Sequence, residues 1–208
     1  MLRDDAVSII KGRLARWNDT VLANYIIVEL KAAQQRNELM EPLPWFLLTE
    51  SSYTVTAEDE ERIEIPADFI READEDAFWV EDASGNWTKL IKDDYDYIRG
   101  RFTGTGIPER YALVGRYLRV RPAPDGVYNV HMIYYGKDEA LSTNIENKWL
   151  ANAPEVLIAD AGHVIASRYV RNDSAAAEFK QDFMRARKEL LVANQARLDA
   201  NRIYRSDN

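Results

Sequence analysis

Apolar residues recur at helical spacing at both ends of this 208-residue chain and at strand spacing in its middle, and that double change of period limits the folds open to it. Val7, Ile10, Leu14 and Trp17 stand three, four and three apart, one stripe of a first helix, which Asn18-Asp19-Thr20 interrupts. Leu22, Tyr25, Ile26, Leu30 and Ala33 form one face of a second, which the polar run Gln34-Gln35-Arg36-Asn37 and the prolines at 42 and 44 bring to an end. Beyond Pro154, which suits a first turn, Leu157, Ala161, Val164 and Ile165 form a stripe running towards Tyr169. Asn172-Asp173-Ser174 breaks and recaps the chain. The last helix carries Phe179, Phe183, Ala186, Leu190 and Ala193 and continues polar to Tyr204 without Gly or Pro. Thirty helical residues would span about 45 Å.

Between Trp45 and Ala140 the chain reads as short β-branched and aromatic runs separated by turn residues. Ala77–Val80 and Trp87–Ile91 flank Ala83-Ser84-Gly85-Asn86, a hairpin in which Gly and Asn tolerate positive φ. Tyr111–Val114 and Tyr117–Val120 form another around Gly115-Arg116. The best strand is Tyr128–Tyr135, which should bury Tyr128, Val130, Met132 and Tyr134 on one face and turn Asn129 and His131 to the other. The expected fold is α+β: 1–40 and 141–208 as a helical bundle ending in a C-terminal docking helix, and 41–140 as an inserted antiparallel β-rich region. The stripe from Val7 to Trp17 should pack near Leu157, Val164 and Ile165.

Composition excludes more chemistry than it suggests. There is no Cys, which removes thiol catalysis, disulfides and Cys-based metal sites. The two histidines, His131 and His163, lie in no spacing that builds a triad or metal centre. Asp160 and His163 share a helical face, readable as half a metal site or as a polar pair at a packing seam. Gly104-Thr105-Gly106 lacks the Gly-Lys-Ser/Thr ending of a phosphate loop and reads as a turn. No cofactor is expected. Neither a secretion signal nor a run of about 18 uncharged apolar residues is present, so a soluble, cytoplasmically made chain without membrane contact is expected.

Charge is distributed unevenly. Residues 58–82 hold twelve Asp or Glu against two Arg, a local charge of −10 in a chain whose net charge is −8. That stretch, including Glu58, Asp59, Glu60, Glu61, Asp74, Glu75 and Asp76, reads as solvated surface or as a partner contact. Between Arg185 and Arg205 six Lys or Arg face only Glu189 and Asp199. The segment with Arg197, Leu198, Arg202, Ile203, Tyr204 and Arg205 is either a solvated helix end, where cations suit the negative dipole, or a docking tail rich in interface-prone Arg and Tyr. Broad phosphate binding is opposed by the net negative charge.

The order of these parts carries a resemblance. The run Leu118-Arg119-Val120-Arg121-Pro122, through Pro124 and Tyr128, Tyr134-Tyr135, Leu141-Ser142 and Asn147-Lys148-Trp149-Leu150 to Pro154-Glu155-Val156-Leu157, resembles the head-to-tail adaptor proteins of tailed phages. Ile65-Pro66-Ala67-Asp68-Phe69 looks like a second element of that family. The resemblance implies a non-enzymatic virion protein at the head-tail junction, one subunit of a dodecameric ring joined to the portal protein and to tail or nozzle proteins, with DNA passing through without sequence-specific binding. It also implies that the basic C-terminal segment docks on the portal and that the acidic stretch faces the channel or the tail. Two other classes stay open on the residues alone: a carbohydrate-active hydrolase using paired carboxylates, and a nucleic-acid-binding regulatory module resting on the basic C-terminal helix.

Overall fold

The computed structural model describes residues 1–56, 62–74 and 76–205, of which 198–205 are described as helical backbone only. In chain order, helices α1 (Arg3–Arg13) and α2 (Thr20–Glu38) lead to a 3-10 turn at Trp45–Leu47 and to strand β1 (Leu48–Val55). Then come β2 (Arg62–Glu64), β3 (Phe69–Glu72), β4 (Phe78–Glu81), β5 (Trp87–Lys89), β6 (Ile91–Lys92), helix α3 (Tyr95–Arg101), β7 (Arg110–Val114), β8 (Tyr117–Arg121) and β9 (Tyr128–Gly136). The chain closes with α4 (Lys148–Asn152), α5 (Pro154–Val164), π-helical turns at Ile165–Val170, and α6 (Asp173–Arg205). The fold is α+β, as the two periods require. It divides into two compact units, Met1–Leu47 with Asp138–Asn208, and Leu48–Lys137.

In the helical unit, α5 is buried over most of its circumference, through Val156, Leu157, Ile158, Ala159, Ala161 and Gly162. Helices α1, α2 and α6 all pack on it. Val7, Ile10 and Leu14 are buried as the spacing predicts, and so are Leu157 and Ile165, while Val164 is half-buried. Trp17 is a correction, since its side chain is 66% exposed. Helix α1 stops at Arg13 because Ala15 takes a left-handed φ of 53°. Ala15 N donates to Gly12 O at 3.0 Å and Arg16 N to Lys11 O at 2.9 Å, the paired bonds of a Schellman turn. The chain then doubles back, and the Trp17 ring lies over Gly12, where a Cβ would come within 2.4 Å of it.

Helix α2 also departs from expectation. Asp19 caps it by accepting from Leu22 N at 2.8 Å, and Leu22, Ile26, Leu30 and Ala33 face inward, but Tyr25 is exposed. The polar run does not end the helix. Gln34, Asn37 and Glu38 are buried instead. Gln34 Nε2 donates to Glu38 Oε1 at 2.9 Å and to Glu139 O at 3.1 Å, and Asn147 Nδ2 donates to Gln34 Oε1 at 3.3 Å. These partners make the burial of Gln34 and Glu38 tolerable, and Asn37 Nδ2 donates to Ala33 O at 2.9 Å and to Asp160 Oδ2 at 3.2 Å, although its Oδ1 is buried without a partner among the described residues.

In the other unit β1, β9, β4 and β5 form one sheet in that order, with β3 also paired to β9, and β2, β8, β7 and β6 form the second. Both expected hairpins are present. Gly85 (φ 81°) turns β4 into β5, and Gly115 (φ 62°) turns β7 into β8, each in the left-handed region that favours glycine. Among the described strands, pairing is antiparallel except between β6 and β7. One apolar core draws on both sheets, including Phe78, Val80, Leu118 and Val120. Tyr128, Val130, Met132 and Tyr134 all face it, and Asn129 and His131 lie on the opposite face at intermediate exposure. Sequence reading missed α3, a seven-residue helix capped by Asp94 and anchored by Ile98 alone.

Candidate docking surfaces

Among its described side chains, helix α6 packs inward as far as Asn194. Its inner stripe uses Phe179, Ala186 and Leu190 as the repeat predicts, with Ala175 and Ala176 added, whereas Phe183 is half-buried and Ala193 is exposed. Asn194 takes the inward place at the next turn, and with Arg187 two turns earlier and Arg197 one turn later it marks a polar stripe. Each member holds the connector between α2 and β1. Arg187 Nη2 donates to Met40 O at 3.3 Å and to Pro42 O at 3.5 Å. Burial pushes its guanidinium below the usual value. Asn194 donates to Leu43 O at 3.1 Å and accepts from Trp45 N at 2.9 Å. The Arg197 guanidinium lies over the Trp45 ring, 3.4 Å from its centroid.

Of the sequence-predicted docking residues, Arg197 is therefore exposed but already stacked within its own unit. The side chains of Leu198, Arg202, Ile203, Tyr204 and Arg205 lie outside the described residues, although the helical backbone continues through Arg205. In the acidic set, Glu58, Asp59, Glu60, Glu61 and Glu75 lie outside the described residues. Asp74 Oδ1 accepts from Asp76 N at 2.8 Å, and Asp76 pairs with Lys89.

A second surface of the helical unit escaped sequence reading. Val21, Tyr25 and Val28, spaced four and three on α2, form an apolar ridge opposite the buried stripe, and Tyr169 packs on Tyr25 with ring centroids 4.6 Å apart. The sequence placed Tyr25 on one face with Leu22, Ile26, Leu30 and Ala33, and burial separates it from them.

On the outer face of the larger sheet, the exposed Trp87 ring stacks on His131 at 4.2 Å, and His131 Nε2 lies 3.1 Å from Glu81 Oε2. Trp79, Glu50 and Ile133 complete a shallow recess of about 330 Å³ there. His163 and Asp160 do not pair. His163 Nδ1 lies 3.0 Å from Ala176 O, while Asp160 accepts from Arg36 and Asn37. Gly104 O and Gly106 N bond the backbone of Ala123, so this stretch is a pinned turn. Among the described residues no three His, Asp or Glu gather to hold a metal, and no helix is long and apolar enough to cross a membrane.

No curated protein matches the chain. The family described as SU10 adaptor protein matches residues 2–206, from the start of α1 to the end of α6, and this chain belongs to that family of phage adaptors.

Proposed function

We propose that this chain is the repeating subunit of a dodecameric ring that joins the portal to the tail and lines the channel through which DNA leaves the head. Membership of an adaptor family over residues 2–206 carries the reading, and with it a structural role in the virion. The ridge of Val21, Tyr25 and Val28 supports repetition, since large apolar side chains left in water on a helix face are what a neighbouring subunit covers. In this reading the acidic stretch, with Asp74 and Asp76 at its described end, faces the channel or the tail, where carboxylates repel DNA and let it slide.

The end of α6 is the portal-docking element, with Leu198, Arg202, Ile203, Tyr204 and Arg205 as its contacts. Arg197, stacked on Trp45, stands at the start of this element. Too few apolar residues follow it to offset an ordering cost of about 1–2 kcal/mol per residue without a partner. Co-sedimentation with portal rings tests this directly. A chain ending at Arg197 should keep its helical content and melting temperature and lose portal attachment, and undiminished attachment would refute the assignment.

A further inference from the structure

Among the described residues, strand β1 has a long unpaired edge. Ile133 N donates to Ala77 O at 2.8 Å and Ile133 O accepts from Ala73 N at 3.1 Å, so the odd-numbered residues of β9 turn their backbone groups away from β1. Alternation then directs Tyr128, Val130, Met132 and Tyr134 towards β1, where Val55, Tyr53, Ser51 and Thr49 are their register partners. Glu50, Ser52 and Thr54 therefore aim their N–H and C=O groups off the sheet, and β1 is the last strand on that side.

Proteins normally protect such an edge with lysine, proline, a bulge or a short strand. None of these is present, as β1 reads Leu-Thr-Glu-Ser-Ser-Tyr-Thr-Val and keeps unbroken register with β9 over all eight residues. Along the strand Tyr53 and Val55 turn inward, while Glu50, Ser52 and Thr54 are exposed. Outward backbone groups in a row are what an added strand recognises through its main chain, and its alternate side chains would continue the inward face of Tyr53 and Val55.

We propose that the free edge of β1 takes up an extended segment of a neighbouring virion protein as an added strand, one that is apolar at alternate positions and basic at its flanks. The inference rests on the adaptor reading and assigns that reading a second contact. Length excludes most self-pairing, because β2, β3, β5 and β6 are four residues or shorter. Among the described edge strands only β1 of a second copy matches, and a β1–β1 pair is two-fold and closes a dimer instead of a ring. Charge sets the flanks. Glu50 is the one charged residue of β1, and Glu58, Asp59, Glu60 and Glu61 follow in the sequence that joins β1 to β2.

Hydrogen exchange at single-amide resolution tests the proposal in the isolated subunit and in the assembled head-tail junction. The amides of Glu50, Ser52 and Thr54 should exchange freely in the subunit and slow by roughly a hundredfold or more in the junction. Equal rates in the two states would overturn it. Ser52→Pro removes one outward donor and leaves the β1–β9 ladder whole. It should keep the melting temperature and portal co-sedimentation while blocking completion of the junction, and normal completion would overturn the strand. Since the chain has no Cys, Ser52→Cys reports self-pairing cleanly: a disulfide between two copies would place a second copy on the edge and refute the proposed occupant. Failure of the unaltered protein to attach to the portal would instead count against the adaptor reading.

Discussion

The ring of Phe179 lies against the bare backbone of Gly162, so close that a Cβ added to that glycine would stand 2.4 Å from it. Phe179 is fully buried, and the Arg13 guanidinium sits 3.9 Å above its ring while also pairing with Asp182 at 2.7 Å. Three helices thus meet at one glycine. The ring has no room to move aside, so Gly162→Ala should cost about 1–3 kcal/mol in urea unfolding. A loss within experimental error would show that α5 and α6 approach less closely than described.

Ala15 holds a left-handed conformation that costs an L-residue roughly 1–2 kcal/mol, part of which the greater freedom of unfolded glycine would return. Ala15→Gly should therefore stabilise the protein by about 0.5–1 kcal/mol. Trp17→Ala, by contrast, should cost about 1 kcal/mol or less, as expected of a surface residue. A loss of the size seen for core tryptophans would place Trp17 inside the bundle.

Asn194 is 3% exposed and serves Leu43 O and Trp45 N at once. Asn194→Ala leaves both groups without their partner and should cost about 1–3 kcal/mol. The same change should raise proteolysis of the connector around residues 40–45, read by mass spectrometry of the fragments.

Tyr111, Tyr128 and Tyr134 of the β unit hold their protons tightly. A hydrogen bond to Asp125 pushes Tyr128 up to about 12. Burial and the charge of Asp68 push Tyr134 up to about 12. Burial and Glu72 raise Tyr111 as well. Unfolding returns each to the ordinary value near 10, so the folded state binds more protons above that pH. The contribution is fully present below pH about 10 and is lost as pH rises towards about 12. Absorbance at 295 nm should show a late phenolate phase that Tyr128→Phe reduces, coinciding with a fall in melting temperature.

The parts of this fold legible in the sequence were those whose signal is local. Alternation in Tyr128–Tyr135 and the glycines at 85 and 115 specify strands and turns within a few residues. The parts that escaped depend on distant partners or on conformations without a residue signature. Ala15 looks like any helical alanine, and nothing near it announces the turn that sends Trp17 outward. The run from Gln34 to Asn37 read as a helix end because the backbone carbonyl of Glu139 that takes up Gln34 lies a hundred residues on. α3 buries only Ile98, too little to impose a helical period. At the candidate site, the residue types at the end of α6 drew attention, but the place of Arg197 could not be read without Trp45, far upstream. The free edge of β1 is a property of the sheet order, invisible until the strands are paired.

The central claim is that copies of this chain assemble on the portal. Native mass spectrometry and negative-stain imaging of the purified protein, alone and mixed with portal rings, test it most directly. The account predicts that the mixture contains a closed ring of adaptor subunits seated coaxially on the portal, whatever the state of the isolated protein. A mixture in which the portal keeps its own mass and the adaptor remains unattached would contradict it.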